Sequence, residues 1–533
     1  MLEHDLAPAT RPLIIDGIVL TTPIGGMLTE WARKWGTRIA LVHGDQRMTY
    51  AALDHHVDRL AGALQKSGLV RGDRILVQMP NSIGLVTILL AALRLGVHPI
   101  MAMPAQRAHD LNALVANAQP VAYFAARELH GFQYEVLARS LQQAHPCLRL
   151  IVLDGAEVPE DYLQLSALDA PFHPPQPPAL TDLALLLLSG GTTGTPKLIP
   201  RTHADYAFTF LRSAEMAGVD ETTVYLAILP GAHNFILSSP GILGVLSRGG
   251  RVVLANAASC DEIMPLIEKE SVTHIALVPP LLRLWIEARK WERSDLSSLR
   301  LLQIGGARVD AALVKQAQQL FGTMIQQVYG MAEGLICYTR LDDAQHVILN
   351  TQGRPMSRED DILIVDSDDH EVTLGETGEL LTRGPYTISG YFNAAEHNVS
   401  SFTAEGYYRT GDVVCQDADG NITVMGRLKE QINRAGEKIA VAEVEAALTR
   451  HPDIEEAVVV AAPDPHLGER ICAFLKGASR DLTDIAIREF LRENGMAAYK
   501  IPDQYGWISH WPQTAVGKLD RKKLAVLAQA RHG

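Results

Sequence analysis

Short apolar runs, spaced by stretches of helical periodicity, constrain this chain more than any other feature. Arg74-Ile-Leu-Val-Gln-Met79, Ala184 to Leu188, Arg251-Val-Val-Leu254, His274-Ile-Ala-Leu-Val278 and Leu301-Leu-Gln-Ile304 are each bounded nearby by Gly, Pro or Ser. Runs without polar alternation read as strands buried on both faces. Helical patterns such as Tyr50 to Ser67 lie between the runs, so the strands belong to layered α/β units. Val86 to Met103, interrupted by Arg94, reads as a buried helix running into a strand. No uninterrupted apolar span approaches the ~20 residues needed to cross a bilayer, so no membrane association is expected.

At 533 residues the chain exceeds one ordinary core, and two or more domains are expected. The proline cluster Pro171 to Pro178 reads as a surface connection into a new unit. From about Ile362 the texture changes to short strands and turn residues, which predicts a compact β-rich subdomain. A last boundary falls near Gly426-Arg-Leu-Lys429. Beyond it, Ala442 to Arg450 and Asp484 to Glu493 read as helices and Glu456 to Ala461 as a strand. The division is a large α/β region, 1–428, and a small α+β domain, 429–533.

A net charge of −13 argues against a general nucleic-acid binder, which needs a basic face for phosphates. Five scattered cysteines without a C-x-x-C pair make a disulfide scaffold or zinc site unexpected and fit a reducing compartment. The opening Met1-Leu-Glu-His-Asp5 lacks the basic and apolar regions of a signal peptide. A cytoplasmic location follows as an expectation.

The densest chemistry is Ser189-Gly-Gly-Thr-Thr-Gly-Thr-Pro-Lys197, directly after an apolar run. Gly190, Gly191 and Gly194 let backbone N–H groups approach a ligand. Thr192, Thr193, Thr195 and Ser189 add hydroxyls, and Lys197 adds a positive charge. That set suits a polyphosphate. It is not a Walker A loop, because Lys197 follows Pro196 and precedes Leu198. Gly305-Gly306-Ala307 lies at an expected strand end, where open α/β sheets place their ligands.

Ser189 to Lys197 resembles the signature phosphate loop of the adenylate-forming superfamily. Further motifs recur in order. Tyr329-Gly330-Met331-Ala332-Glu333 is similar to the family's Y-G-x-[ST]-E element, with Ala332 in place of the usual hydroxyl residue. Tyr408-Arg-Thr-Gly-Asp412 resembles its ribose-binding element, Gly426-Arg427 its approach to a hinge, and Pro512 to Lys518 its C-terminal lysine motif. The resemblance implies ATP as substrate, contacted also by Val328, Asp412 and Arg427, and Mg²⁺ held by Glu333. It further implies Lys518 as the catalytic cation, a hinge at Lys429, and a thiol tunnel past Gly436. A positioned ammonium at Lys518 would offset the charge that builds when a carboxylate attacks the α-phosphate.

Within that superfamily the chain looks most like the stand-alone aryl-acid ligases of siderophore pathways, across Leu188 to His203, Ala232 to Gly241 and Tyr329 to Asp343. Amino-acid-activating relatives carry an aspartate after the aromatic or histidine position, whereas here His233 is followed by Asn234. A neutral amide leaves a buried ammonium unpaired, at a cost of several kcal/mol, but can bond a phenol ortho to the carboxylate. The resemblance places His233 over the reacting carboxylate, and Ser239, Gly306, Gly330 and Ile336 on the acyl pocket wall. Ser239 favours 2,3-dihydroxybenzoate, Ile336 is neutral, and Cys337 replaces an expected asparagine. Salicylate or 3-hydroxypicolinate fits the same frame, as do an aryl-CoA ligase and a non-catalytic nucleotide-binding homologue. No Gly-Gly-x-Ser carrier site follows Lys518, so the acyl acceptor is expected to be a separate aryl carrier protein or coenzyme A.

Overall fold

A computed structural model describes residues 12–530 except 190–196, 257–258, 429–430, 435–436, 465–466, 478–481, 495, 497 and 514–518. The chain divides into two compact units, Met1–Ile362 with Thr382–Tyr408, and Leu363–Leu381 with Arg409–Gly533.

The first unit contains two large sheets. One has seven strands in the spatial order Leu163–Gln164, Leu150–Asp154, Ala122–Ala126, Arg74–Gln78, His98–Met101, Leu183–Leu188 and Leu198–Thr202. The other has nine, running Arg354–Pro355, Ile336–Tyr338, Met324–Gly330, Leu301–Gly305, His274–Leu277, Val224–Ala227, Arg251–Leu254, Ile39–His43 and Gln46–Thr49. Their central pairings are parallel.

Every apolar run of the sequence is a strand of one of these sheets, and side-chain alternation explains why polar residues are missing from them. Ile75 and Val77 enter a core that also takes Leu41, Val252 and Leu254 from the other sheet, with the helices Tyr50–Lys66, Ile83–Leu95 and His203–Met216. The intervening Leu76 joins an opposite cluster with Ile100, Tyr123 and Leu186 under the helices Ala108–Ala118 and Tyr134–Ala144. Likewise Leu226, Val253, Ile275 and Leu302 face the helices Cys260–Glu270, Pro279–Ala288 and Ala311–Phe321. Each sheet is therefore covered on both faces.

Val86 to Met103 forms the expected helix and strand, Ile83–Leu95 and His98–Met101. Gly96 ends the helix in the left-handed region at φ 78°, where a side chain would be strained. Arg94, the charge inside that apolar stretch, pairs with Asp54 at 2.7 Å and Asp58 at 2.6 Å. The proline cluster has no regular structure, but it does not open a new unit. The strands after it, Leu183–Leu188 and Leu198–Thr202, complete the sheet begun before it. Proline forbids a central strand without dictating where the chain goes next.

The expected β-rich segment is a four-stranded sheet in the order Asp361–Val365, Thr377–Arg383, Tyr408–Gln416 and Ile422–Arg427. Further on, Glu456–Asp464 and Gly468–Lys476 form an antiparallel pair and Gln504–Trp507 runs parallel to the latter. The helices Val441–Leu448 and Asp484–Glu493 share one cluster with these strands, and Arg521–Ala530 packs in another. No helix among the described residues is long and apolar enough to cross a membrane.

Candidate active site

The strand Leu183–Leu188 pairs parallel with His98–Met101, then reverses and returns antiparallel as Leu198–Thr202. The neck of this hairpin is tied twice. Ser189 N donates to Lys197 O at 2.9 Å, and Lys197 N donates to Ser189 Oγ at 3.0 Å. Gly190, Gly191, Thr192, Thr193, Gly194 and Thr195, between these ties, lie outside the described residues, as do Lys429, Gly436 and Lys518.

Lys197 Nζ sits 5.4 Å from the ring centroid of Tyr391, and Tyr391 OH donates to Glu333 Oε1 at 2.8 Å. Tyr391 thus brings the neck lysine and Glu333 to one place, although nearly two hundred residues separate the first two in sequence. The Tyr391 hydroxyl also shares a 2.9 Å bond with Tyr408 OH. Burial, then the Glu333 carboxylate, pushes its pKa up, so it stays a neutral donor. Glu333 is 8% exposed, and its carbonyl accepts from Ile388 N at 2.8 Å.

Arg201 holds this motif from below. Its guanidinium, fully buried, bonds Asp205 Oδ1 at 2.7 Å, Ala332 O at 2.8 Å, Thr209 Oγ1 at 2.9 Å and Tyr386 O at 3.3 Å. The side chain satisfies carbonyls of two segments that have no ladder of their own, which a planar five-donor fork does well.

The acyl-pocket candidates gather at the carboxyl ends of the nine-stranded sheet, where ligands of open α/β sheets sit. Gly305 pairs with Val328. A Cβ at 305 would lie 2.9 Å from Phe235 Cζ, so only glycine lets that ring close over the strand end. Gly306 follows at φ +80° and Ala307 after it. Gly330 pairs with Ile336, whose side chain a Cβ at 330 would meet at 3.1 Å. Tyr329 and Met331 are half-buried beside it.

His233 caps the helix Asn234–Ser238, its Nδ1 accepting from Phe235 N at 3.2 Å, which leaves Nε2 as the protonated nitrogen of the neutral ring. Asn234 is buried, and its Oδ1 accepts from Tyr206 OH at 3.1 Å and Ser238 Oγ at 2.9 Å. The carboxamide is thereby oriented, with its Nδ2 making no bond to the described residues. Ser239, just past the helix, is 3% exposed. The loop leading into His233 is clamped by Asn81, which donates to Ala227 O, Leu229 O and Ala255 O and accepts from Gly231 N at 2.6 Å.

In the second unit Asp412 and Arg427 face each other across the hairpin Tyr408–Gln416 and Ile422–Arg427. Arg427 Nε lies 2.7 Å from Asp412 Oδ1, the carboxylate side chain 7% exposed and the guanidinium 58%. Asp412 N donates to Thr410 Oγ1 at 3.0 Å.

Tyr391, Arg201, Phe235, Tyr206 and Asn81 were not found by sequence reasoning. Tyr391 stands in Ser389-Gly-Tyr-Phe392, which reads only as a turn. An aromatic hydroxyl beside glycine in a turn was the available signal. Arg201 carried one signal too, as a charge inside the otherwise strand-like Leu198–Thr202.

Known proteins are similar to this chain over most of its length. The family described as AMP-binding enzyme matches residues 28–392, and AMP-binding enzyme C-terminal domain matches 443–518. The 2,3-dihydroxybenzoate-AMP ligase of Bacillus subtilis (strain 168) is 48% identical over 501 residues, spanning 94% of this chain and 92% of that protein. Pyochelin synthase PchD of Pseudomonas aeruginosa (strain UCBPP-PA14) is 47% identical over 504 residues, spanning 93% and 91%. Among solved structures, apo MbtA of Mycobacterium smegmatis superposes with a TM-score of 0.73 at 40% identity, covering 95% of this chain and 94% of that one. The strands that end in Gly305 and Gly330, the tied glycine-rich hairpin and the Glu333 motif all fall inside the larger match, and the chain belongs to the AMP-binding, adenylate-forming enzymes as an ATP-dependent ligase.

Proposed function

We propose that the chain activates 2,3-dihydroxybenzoate with ATP, forming the aryl-adenylate and pyrophosphate, and then passes the aryl group to the phosphopantetheine thiol of a separate aryl carrier protein. The observation that carries this reading is the fixed carboxamide of Asn234. Its oxygen is already committed to two hydroxyls, so it presents a neutral donor to the pocket. That group suits a phenolic oxygen ortho to the carboxylate and offers nothing to an ammonium. The likeness to the Bacillus subtilis ligase supports the same substrate.

On this reading the glycine-rich loop and Lys197 cradle the phosphates, and Asp412 takes the ribose hydroxyls with Arg427 beside it. Gly305 to Ala307 and Val328 to Ala332 line the nucleotide. Gly306, Gly330, Ile336 and Ser239 shape the aryl pocket. His233 sits over the reacting carboxylate, and Lys518 stabilises charge as that carboxylate attacks phosphorus. The buried Glu333 carboxylate fits a magnesium ion. Such an ion is commonly bound through one or two carboxylates plus phosphate oxygens, and here it would neutralise polyphosphate charge. A small C-terminal domain from Lys429 onward would exchange Lys518 for the Gly436 loop between the two half-reactions, in a cytoplasmic setting.

The test is ATP–pyrophosphate exchange over 2,3-dihydroxybenzoate, salicylate, 3-hydroxypicolinate, benzoate and an amino acid. The expected order is 2,3-dihydroxybenzoate, then salicylate, with benzoate far behind. A winning salicylate or pyridine acid overturns the substrate and leaves the adenylation chemistry. A winning amino acid overturns the argument from Asn234.

A further inference from the structure

Beside the turn of the N-terminal hairpin lies a cavity that the adenylation chemistry does not use. The strands Leu13–Ile15 and Ile18–Leu20 pair antiparallel, and Asp16 and Gly17 join them with φ of 43° and 81°. Two successive left-handed residues make the tight turn that suits twisted strands. The turn is held down at Asp16, whose N donates to Glu359 Oε1 at 2.8 Å. Its Oδ2 accepts from Arg358 N at 3.1 Å and lies 3.1 Å from Arg212 Nη2. The cavity next to it has a volume of about 530 Å³, within the range of small-molecule sites. Its charged lining is Arg212, Arg340 and Arg358 against one carboxylate, Asp16. Met216, at the end of the helix His203–Met216, and Met356 add thioether surface.

The three arginines are not equally committed. Arg212 is paired with Asp16 and, at 2.7 Å, with Glu215, though its Nε is buried without a partner among the described residues. Arg340 spends its guanidinium on carbonyls, those of Tyr338 at 2.7 Å, Arg354 at 3.2 Å and Pro355 at 2.7 Å. Carbonyls carry no net charge, so the cation stays unbalanced. Asp343, which accepts from Arg340 N at 2.6 Å, is itself paired with Arg354 at 3.0 Å. Arg358 is exposed, with no ion pair among the described residues. A chain of net charge −13 thus gathers two guanidiniums without carboxylate partners around one cavity. An arginine fork matches phosphate oxygens bidentately, and a phosphate monoester brings close to two negative charges in one head. Methionine adapts to apolar bodies of varied shape. We propose that this cavity is a second ligand site, for a small phosphate monoester whose phosphate meets Arg340 and Arg358 and whose organic body lies on Met216 and Met356. The site is independent of which acid is activated.

The probe is phenyl phosphate, titrated calorimetrically into wild type, Arg358→Glu and Arg283→Glu, with and without saturating ATP, with melting temperature alongside. Arg283 is an exposed arginine on the helix Pro279–Ala288, outside the cavity, so reversing it makes the same change in net charge. Wild type should bind with a Kd of about 1 mM or tighter, unaltered by ATP. Arg358→Glu should weaken binding about tenfold or more, the size of one charge-assisted bond. Arg283→Glu should change it less than about twofold, since solvent screens a distant surface charge. Inorganic phosphate, which gives the methionines nothing, should bind about tenfold more weakly than phenyl phosphate. Binding that ATP abolishes belongs to the nucleotide site and overturns the proposal. Equal losses in the two variants, an unaltered affinity in Arg358→Glu, or no binding to wild type overturn it as well. Equal affinity for inorganic phosphate overturns the monoester and its apolar contacts.

Discussion

At the scale of single residues, two side chains carry distinct predictions. Lys518 is proposed to touch the carboxylate and phosphate only while phosphorus is attacked. Lys518→Ala should then cut pyrophosphate exchange by two orders of magnitude or more, the size of losing one preorganised electrostatic group, while transfer from preformed aryl-adenylate changes far less. Equal loss in both half-reactions would remove Lys518 from that role. Asp360 concerns stability instead. Burial raises its carboxyl pKa from 3.8 to about 7, against the bond from Tyr386 OH, which is 2.6 Å from Oδ2. Asp360 Oδ1 has no partner among the described residues. Because the folded value is the higher one, the folded chain keeps a proton that the unfolded chain releases once pH exceeds about 4. The stability from that proton is complete below pH 4 and is lost as pH rises through about 7. Asp360→Asn, neutral throughout, should flatten melting temperature against pH between 5 and 8. Above pH 7 it should melt higher than wild type by roughly 2–4 °C. An unchanged slope would mean Asp360 is ionised in the fold.

At the scale of elements, what the sequence made legible and what it hid follow one physical line. Strands covered on both faces must be apolar throughout, so runs such as Arg251–Leu254 and Leu301–Gly305 announce themselves. A glycine-rich loop announces its chemistry for the same local reason. Tyr391 and Arg201 do not, because their work is done across the fold, on Glu333 and on the carbonyls of Ala332 and Tyr386. Nothing in the neighbouring sequence specifies such partners. The proline cluster misled for the converse reason, since a local break in structure reads like a boundary whether or not the sheet resumes. Gly305 joins both kinds of information, marking a strand end in sequence and a ring contact in space. Gly305→Ala places a Cβ 2.9 Å from Phe235 Cζ and 3.0 Å from Val328 O. That overpacking should cost about 1–3 kcal/mol of stability and push the ring toward the pocket. The expected result is a raised KM for the aryl acid with KM for ATP less affected, measured by pyrophosphate exchange. An unchanged aryl KM would place Phe235 outside the pocket wall.

At the scale of the whole molecule, the proposed hinge at Lys429 asks one site to serve two reactions. Lys429→Pro fixes φ near −65° and should impair thioester formation at least tenfold more than adenylation, each assayed separately. Unimpaired transfer would count against rotation there. A different consequence follows from the order of the nine-stranded sheet. Ile39–His43 takes Arg251–Leu254 as its parallel neighbour, although roughly 200 residues must be translated between them. At 5–20 residues per second, that leaves the nascent strand with one open edge for about ten to forty seconds, paired only with Gln46–Thr49. An apolar strand with an unpaired edge invites other chains. The interval on the ribosome, more than any moment in the finished enzyme, is when that edge lies open to other chains.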